Sequence, residues 1–233
     1  MRLISGLLRA AHPKQALATA AALTVAAALS GRSHALALLI LFVAALLGQA
    51  IQGWHNDITD EARDRAREAP GKPIADGTVY PGTAWFLIVL CTLAVVPLSV
   101  ASGRLAGACY LGAVVIGCLA NRVLRSSVLS FVPWAAQFAL YAWVITDGGW
   151  GGRGSGETPQ PIVVALLALL GVGVHLLLSS RGLVADHEDG MRNLPLRLAL
   201  KLGANRLLIV SAVFSAAVLV ALLIATLDGG WHS

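Results

Sequence analysis

Residues 35–77 read ALALLILFVAALLGQAIQGWHNDITDEARDRAREAPGKPIADG, and their abrupt change of character decides the fold. The first part, up to about residue 54, is apolar. Residues 54–77 hold six of the twelve acidic residues of the chain together with four basic residues. An apolar run of about 20 residues is long enough to cross a bilayer as a helix. This stretch therefore predicts a membrane helix that carries a dense block of charge at one end.

The composition of the whole chain places the protein in a membrane. The chain is 57% hydrophobic and 12% charged, and its mean hydropathy is +0.76. Segments that cross lipid must pair their backbone groups internally, and the sequence lacks the period-two alternation of a membrane barrel. The predicted fold class is therefore all-α, a multi-spanning helical bundle. The net charge of +5 is spread over short loops, so we expect no nucleic-acid partner, and no protein partner is implied.

Seven apolar runs predict about seven spans around a central cavity, in a single domain covering residues 1–233. The runs cover approximately residues 15–31, 35–54, 82–101, 105–121, 128–146, 161–180 and 206–227. The longest polar loops have only about 25 residues, which is too few for an extramembrane domain with its own core.

The basic residues predict the orientation of the bundle. With the amino terminus in the cytoplasm, 14 of the 17 basic residues lie on the cytoplasmic side and 3 on the other. This bias follows the positive-inside rule. The high Ala, Gly and Arg content is typical of a GC-rich bacterium. We therefore expect a multi-pass protein of the cytoplasmic membrane whose cavity opens toward the cytoplasm.

Two acidic clusters are the candidate functional residues. Asn56, Asp57, Asp60 and Asp64 form the pattern N-D-x-x-D-x-x-x-D. Residues three and four positions apart share one face of a helix, so the three aspartates are predicted to line a single stripe. The second cluster consists of Asp186, Glu188 and Asp189. Both clusters fall on the same predicted side of the membrane, and we expect them to meet at one cavity.

Carboxylates beside basic residues indicate a magnesium-bound anion. Magnesium prefers oxygen ligands and is typically held by one or two carboxylates plus substrate phosphates. The cations that would meet the remaining phosphate charge are Arg63, Arg67, Lys72 and Arg125. The arrangement suits a diphosphate whose hydrocarbon tail lies among the helices. Metal and cations would stabilise the leaving diphosphate, and an apolar cavity would keep water from the allylic cation.

Three stretches of the sequence resemble the UbiA family of intramembrane prenyltransferases. Residues 56–64, followed by KPIADG at 72–77, resemble the family's first aspartate motif and its downstream basic-Pro-x-x-x-Gly. Residues 121–130 are similar to the family's stretch after the fourth helix. Residues 186–195, DHEDGMRNLP, resemble the second aspartate motif, with aspartates three rather than four positions apart. The resemblance covers most of the chain.

The resemblance implies transfer of a prenyl group from a polyprenyl diphosphate to a lipophilic acceptor, usually an aromatic or quinone precursor, with Mg²⁺ as cofactor. It implies one metal held by Asn56, Asp57, Asp60 and Asp64, and a second held by Asp186 and Asp189. It implies diphosphate contacts from Asn56, Arg63 and Lys72. The catalytic residues that it implies are Asp57, Asp60 and Asp186.

Other functions stay compatible with the same residues. An intramembrane terpene cyclase would use the same ionisation site without an external acceptor. Phosphoribosyl transfer to a polyprenyl phosphate is a further alternative within the family. A non-catalytic membrane protein that keeps the scaffold is an alternative of another kind.

Polar side chains inside the spans pose a separate question, because each must face a cavity or bond a neighbouring helix. We expect His175, near the middle of the sixth span, to bond a neighbouring helix. The same alternatives apply to Gln49, Gln52 and Gln137. Trp134 is expected to lie in an aromatic belt or to face a prenyl cation.

Overall fold

The computed structural model describes residues 2–232, and in that range it contains ten α-helices and no strand longer than an isolated bridge. The helices are α1 (Arg2–Ala10), α2 (Pro13–Leu29), α3 (Ala35–Ala66), α4 (Pro81–Ala101), α5 (Arg104–Ala120), α6 (Val132–Thr146), α7 (Pro161–Ser179), α8 (Leu183–Glu188), α9 (Leu194–Leu202) and α10 (Ala204–Gly229). The all-α prediction is confirmed. Met1 and Ser233, the two ends of the predicted domain, lie outside the described residues.

Each of the seven predicted spans corresponds to one helix. Within the described part of the chain, four helices are long and apolar enough to cross a membrane, namely α3, α4, α7 and α10, and α5 is a shorter apolar helix. Two boundaries differ from the prediction. Helix α3 continues past residue 54 to Ala66. Helix α6 begins at Val132 rather than near residue 128, because turns occupy the preceding segment and Pro133 lies in the first helical turn.

Proline marks the start of several helices. It lies in the first turn of α2, α4, α6, α7 and α9. Proline has no N–H, and the first turn of a helix has no acceptor for one, so the residue is tolerated there and fixes φ at a helical value. The prolines in the sequence therefore indicate where each of these helices begins.

Helices that follow one another along the chain also pack side by side. Contacts join α2 to α3, α3 to α4, α4 to α5, α5 to α6 and α6 to α7, and α10 packs on α7. Helix α2 also contacts α6, and α3 contacts α5. The helices therefore surround a common interior. Tyr110 Oη on α5 donates to the backbone oxygen of Ala44 on α3 at 3.1 Å. Large apolar side chains on the outer faces of α4 and α10 are exposed, as contact with lipid requires.

The three shortest helices complete the charged end of the bundle. Helix α1 packs on α3, where Trp54 Nε1 donates to the backbone oxygen of Leu7 at 2.9 Å. Helix α8 packs on α9, which in turn packs on α10. These contacts fix the segments before and after the long helices, and the acidic clusters lie in that region.

Candidate active site at the charged end of the bundle

The first acidic motif lies on α3, beyond the apolar part of that helix. Because α3 continues to Ala66, residues 56–64 are helical throughout. Asp57, Asp60 and Asp64 are only 2%, 6% and 8% exposed. The predicted stripe of three carboxylates is confirmed, and it faces the interior of the protein.

Lys72 lies against this stripe from the loop after α3. Its Nζ is 2.7 Å from Asp57 Oδ1 and 3.4 Å from Asp64 Oδ2. Burial by itself lowers the pKa of Lys72, but the negative charges of Asp57, Asp64 and Asp60 outweigh burial and raise that pKa above its usual value. Lys72 therefore stays protonated at neutral pH and supplies a fixed positive charge.

Two arginines share Asp60. Arg63 Nη2 lies 2.9 Å from Asp60 Oδ1, and Arg125 Nη1 contacts the same oxygen. Asn56 Nδ2 donates to Asp60 Oδ2 and to Asn121 Oδ1, at 3.3 Å in each case. Arg125 and Asn121 follow α5, so the segment between α5 and α6 closes one side of the site.

The second acidic cluster lies on α8 and just after it. Asn193 Nδ2 donates to Asp186 Oδ2 at 2.8 Å. Burial raises the pKa of Asp186, and the Asn193 hydrogen bond and the charge of Arg63 oppose that rise. Asn193 Oδ1 also accepts from Leu196 N at 2.9 Å and so caps α9. Asn193 thus ties Asp186 to the start of α9.

The two clusters meet through arginines of the first one. Arg63 Nε lies 3.4 Å from Asp189 Oδ2, while Nη2 of the same side chain pairs with Asp60. Arg67 contacts Asp189 as well, and it donates to the backbone oxygen of Ala185. The predicted convergence of the clusters is confirmed. Residues far apart in the sequence therefore form one continuous set of ion pairs.

A cavity of about 330 Å³ opens beside the clusters. The charged and amide side chains at its mouth include Asn56, Asn121, Arg125 and Asp186. The other polar side chains that line the cavity include Gln49, Gln52, Ser130, Gln137 and His175. The prediction of an apolar cavity is therefore wrong: polar and apolar side chains line it together. Glutamines of α3 and α6 face inward and bond each other, with Gln137 Nε2 donating to Gln52 Oε1 at 2.9 Å.

His12 is a site residue that the sequence analysis missed. It lies between α1 and α2 with a left-handed backbone, φ +50°, and its Nε2 is 3.2 Å from Asp57 Oδ1. Non-glycine residues in this conformation are uncommon and cluster at functional sites. The available signal was a histidine directly before Pro13, at the start of the first span.

The donor set at this end of the protein fits magnesium. The candidate ligands are carboxylate oxygens, which magnesium prefers. Asp64 Oδ2 is buried, accepts no hydrogen bond and lies 3.4 Å from Lys72 Nζ. Among residues 2–232, no three His, Cys, Asp or Glu side chains are grouped closely enough to hold a metal ion, and basic side chains occupy the carboxylates instead. The metal and catalytic roles stay predictions for Asp57, Asp60, Asp64, Asp186 and Asp189.

Solved structures share the fold. A UbiA homolog from Archaeoglobus fulgidus bound to GPP and Mg²⁺ has a TM-score of 0.70 and 17% identity, over 92% of this chain and 75% of that chain. The homolog bound to DMAPP and Mg²⁺ has a TM-score of 0.69 and 16% identity, over 97% and 90%. A digeranylgeranylglyceryl phosphate synthase has a TM-score of 0.65 and 17% identity, over 95% and 79%.

Sequence comparison gives the family. No curated protein sequence matches the chain. A profile of the UbiA prenyltransferase family matches residues 16–233. This range includes both aspartate motifs and every long helix, apart from the first three residues of α2, Pro13, Lys14 and Gln15. The resemblance seen in the motifs is thereby confirmed. The protein belongs to the UbiA prenyltransferase family.

Proposed function

We propose that the protein transfers a prenyl group from a polyprenyl diphosphate to a lipophilic acceptor, an aromatic or quinone precursor, with Mg²⁺ as cofactor. The observation that carries the proposal is the double contact of Arg63, which pairs with Asp60 of the first cluster and with Asp189 of the second. A substrate head at this point would be within reach of both clusters. The GPP, DMAPP and Mg²⁺ bound by the Archaeoglobus homologs support the same substrate class.

The charges of the site suit a magnesium diphosphate. Without substrate, the basic side chains neutralise the buried carboxylates. When substrate binds, the basic side chains would contact its phosphate oxygens and the carboxylates would contact the metal. In this proposal the diphosphate is held by Asn56, Arg63 and Lys72, with Arg125 in addition. The metal ligands are Asp57, Asp60, Asp64, Asp186 and Asp189, of which Asp57, Asp60 and Asp186 are the catalytic carboxylates. Bound Mg²⁺ supplies positive charge to the leaving diphosphate.

The cavity contributes position rather than charge. It holds the reacting carbon of the donor next to the acceptor, and such orientation removes much of the entropic barrier to reaction. Trp134 lines the cavity, and the negative face of an indole ring stabilises a nearby cation. An acceptor that occupies the cavity would also exclude water from the allylic carbon.

The polar cavity favours a transferase over a terpene cyclase. A cyclase must keep a carbocation from nucleophiles through several steps, whereas glutamine, serine and histidine side chains line this cavity. A non-catalytic scaffold would have no need for three carboxylates that are each less than a tenth exposed, since burying charge is costly. A transferase accounts for both the polar lining of the cavity and the buried carboxylates.

The distribution of basic residues supports insertion in the cytoplasmic membrane with the amino terminus and the acidic clusters on the cytoplasmic side. A water-soluble diphosphate head would then reach the site from the cytoplasm. The lipophilic donor tail and the acceptor would enter from the bilayer.

Product analysis tests the proposal. Purified protein is incubated with GPP or DMAPP and Mg²⁺, with and without a phenolic acceptor, and the products are identified by mass spectrometry. A transferase forms a prenylated acceptor and releases diphosphate only when the acceptor is present. A cyclic hydrocarbon formed without acceptor would assign the protein to the cyclases, and an unchanged donor under every condition would overturn both functions.

A further inference from the structure

The wall of the cavity carries a hydrogen-bonded pair, Ser130 and His175, that has no role in the proposed transfer reaction described above. Ser130 precedes α6, and His175 lies on α7. Both line the cavity, at 5% and 8% exposure, and Ser130 Oγ is 3.0 Å from His175 Nε2. His175 therefore bonds the segment before α6 rather than a neighbouring helix, and it also lines the cavity.

The hydrogen-bond partners of Ser130 assign the protons of this pair. Leu194 N donates to Ser130 Oγ at 3.3 Å, which leaves the hydrogen of the Ser130 hydroxyl free to point toward His175 Nε2. Neutral His175 then carries its proton on Nδ1, which faces Ser179 Oγ at 3.4 Å. This tautomer follows from the hydrogen-bond network. His175 Nε2 is thus an unprotonated base that contacts the cavity through a hydroxyl group.

The hydrogen-bond partners of His175 can serve either protonation state of its ring. Both ring nitrogens face serine oxygens, and a hydroxyl oxygen accepts hydrogen bonds as readily as it donates them. Protonation at Nε2 would therefore cost no hydrogen bond. Asp186, a carboxylate, lines the same cavity, and the Trp134 ring lies 5.6 Å from the imidazole ring. An aromatic ring at this distance stabilises a neighbouring cation.

Prenyl transfer needs a proton acceptor. The bond between the prenyl carbon and the diphosphate oxygen breaks, and its electron pair leaves with the diphosphate. A new bond forms between that carbon and a nucleophilic carbon or oxygen of the acceptor, which must then lose one proton. Asp57 and Asp60 are paired with cations, whereas Ser130 and His175 line the cavity and offer a neutral base for this step.

We propose that Ser130 and His175 remove this proton, and that the acceptor therefore carries an exchangeable or ring-bound hydrogen, as phenols do. The acceptor proton passes to Ser130 Oγ while the Ser130 hydrogen moves to His175 Nε2, and the imidazolium later returns the proton to water or to released diphosphate. The inference rests on the proposed prenyl transfer and adds the route by which the acceptor loses its proton. Positioned bases of this kind contribute a factor of about 10²–10⁴ to a rate.

The test compares His175→Ala and His175→Gln with the wild type, using GPP, Mg²⁺ and the phenol 4-hydroxybenzoate or 1,4-dihydroxy-2-naphthoate. We expect kcat to fall by about 100-fold or more in both variants, with the KM for GPP unchanged. His175→Gln retains an amide that can bond both serines, so it guards against misfolding. Ser180→Ala is the matched control, because Ser180 lies just after α7 and its hydroxyl donates to the backbone oxygen of Leu177 within the same turn.

Chemical rescue separates a proton acceptor from a structural side chain. Imidazole added to His175→Ala is expected to restore turnover, whereas pyrazole, which has the same shape but is far less basic, is expected to have no effect. Equal rescue by both compounds, or full kcat in His175→Gln, would overturn the role of His175 but would leave the proposed prenyl transfer intact. Absence of any prenylated product with the wild type would overturn the proposed function and the role of His175 with it.

Discussion

Asp60 is the residue on which the ion pairs of the candidate site converge. It is 6% exposed, it accepts from Arg63 and Arg125, and Asn56 donates to its second oxygen. A buried carboxylate is costly to desolvate unless such partners compensate it. Asp60 therefore holds two arginines beside the position proposed for the diphosphate.

Replacing Asp60 tests its role at the residue scale. We expect Asp60→Asn to lower prenyl transfer by about 100-fold or more, because the site would lose a proposed metal ligand and two arginines would lose their charged partner. The matched control is Glu61→Gln, one position along α3, where an exposed pair with Arg65 contributes little. Turnover of GPP by each purified variant is the measurement. Equal losses in the two variants would argue against a specific role of Asp60.

Removal of divalent ions is a second test at this scale. We expect EDTA to stop prenyl transfer and added Mg²⁺ to restore it, while the thermal unfolding midpoint changes little. The reason is that cations of the protein already neutralise the carboxylates, so the fold does not depend on metal. A large fall of the midpoint in EDTA would instead indicate a structural metal.

Helix α3 connects the membrane to the site. Its apolar part packs against α2, α4 and α5, and its last turns carry the three aspartates. Gly53 lies at the point where the link between α1 and α2 crosses α3. A Cβ atom at Gly53 would lie 2.9 Å from the backbone oxygen of Ala10 and 3.0 Å from the carbonyl carbon of Ala11. A glycine is therefore required at this crossing.

Gly53→Ala tests that crossing. We expect the variant to be less stable by about 1–3 kcal/mol, since backbone atoms cannot yield as a flexible side chain does. It should also weaken GPP binding, because the displaced link carries His12 to Asp57. Gly112→Ala on α5 is the control, since its Cβ would make ordinary contact with Leu140 at 3.5 Å. Thermal unfolding in detergent and GPP titration are the measurements. A Gly53→Ala variant as stable as Gly112→Ala would contradict the close approach.

The bundle as a whole brings both acidic clusters to one end. Even-numbered predicted spans return the chain to the same side, and the ion pairs of Arg63 and Arg67 join the segments that follow them. A multi-spanning bundle of this kind therefore places both clusters on one membrane face.

Labelling of single cysteines tests whether the acidic clusters lie on the cytoplasmic face of the membrane. After replacement of Cys91, Cys109 and Cys118 by alanine, Ala66→Cys and Glu157→Cys place one exposed thiol at each end of the bundle. In intact spheroplasts, we expect a membrane-impermeant maleimide to label residue 157 and to reach residue 66 only after lysis. The reverse pattern would invert the proposed orientation.

Much of this protein follows from local sequence. The lengths of the apolar runs, the prolines at helix starts and the spacing of Asp57, Asp60 and Asp64 determine the spans and the carboxylate stripe, because each depends on neighbouring residues of one helix. The motifs around residues 56–64 and 186–195 also sufficed to identify the family.

Tertiary structure decided the rest. The pairing of Arg125 with Asp60, the approach of His12 to Asp57 and the hydrogen bond between Ser130 and His175 join segments that lie far apart in the chain. Such contacts depend on how whole helices pack, and no local pattern encodes them. The polar lining of the cavity has the same origin, because a glutamine in an apolar run faces lipid or interior only once its neighbours are in place.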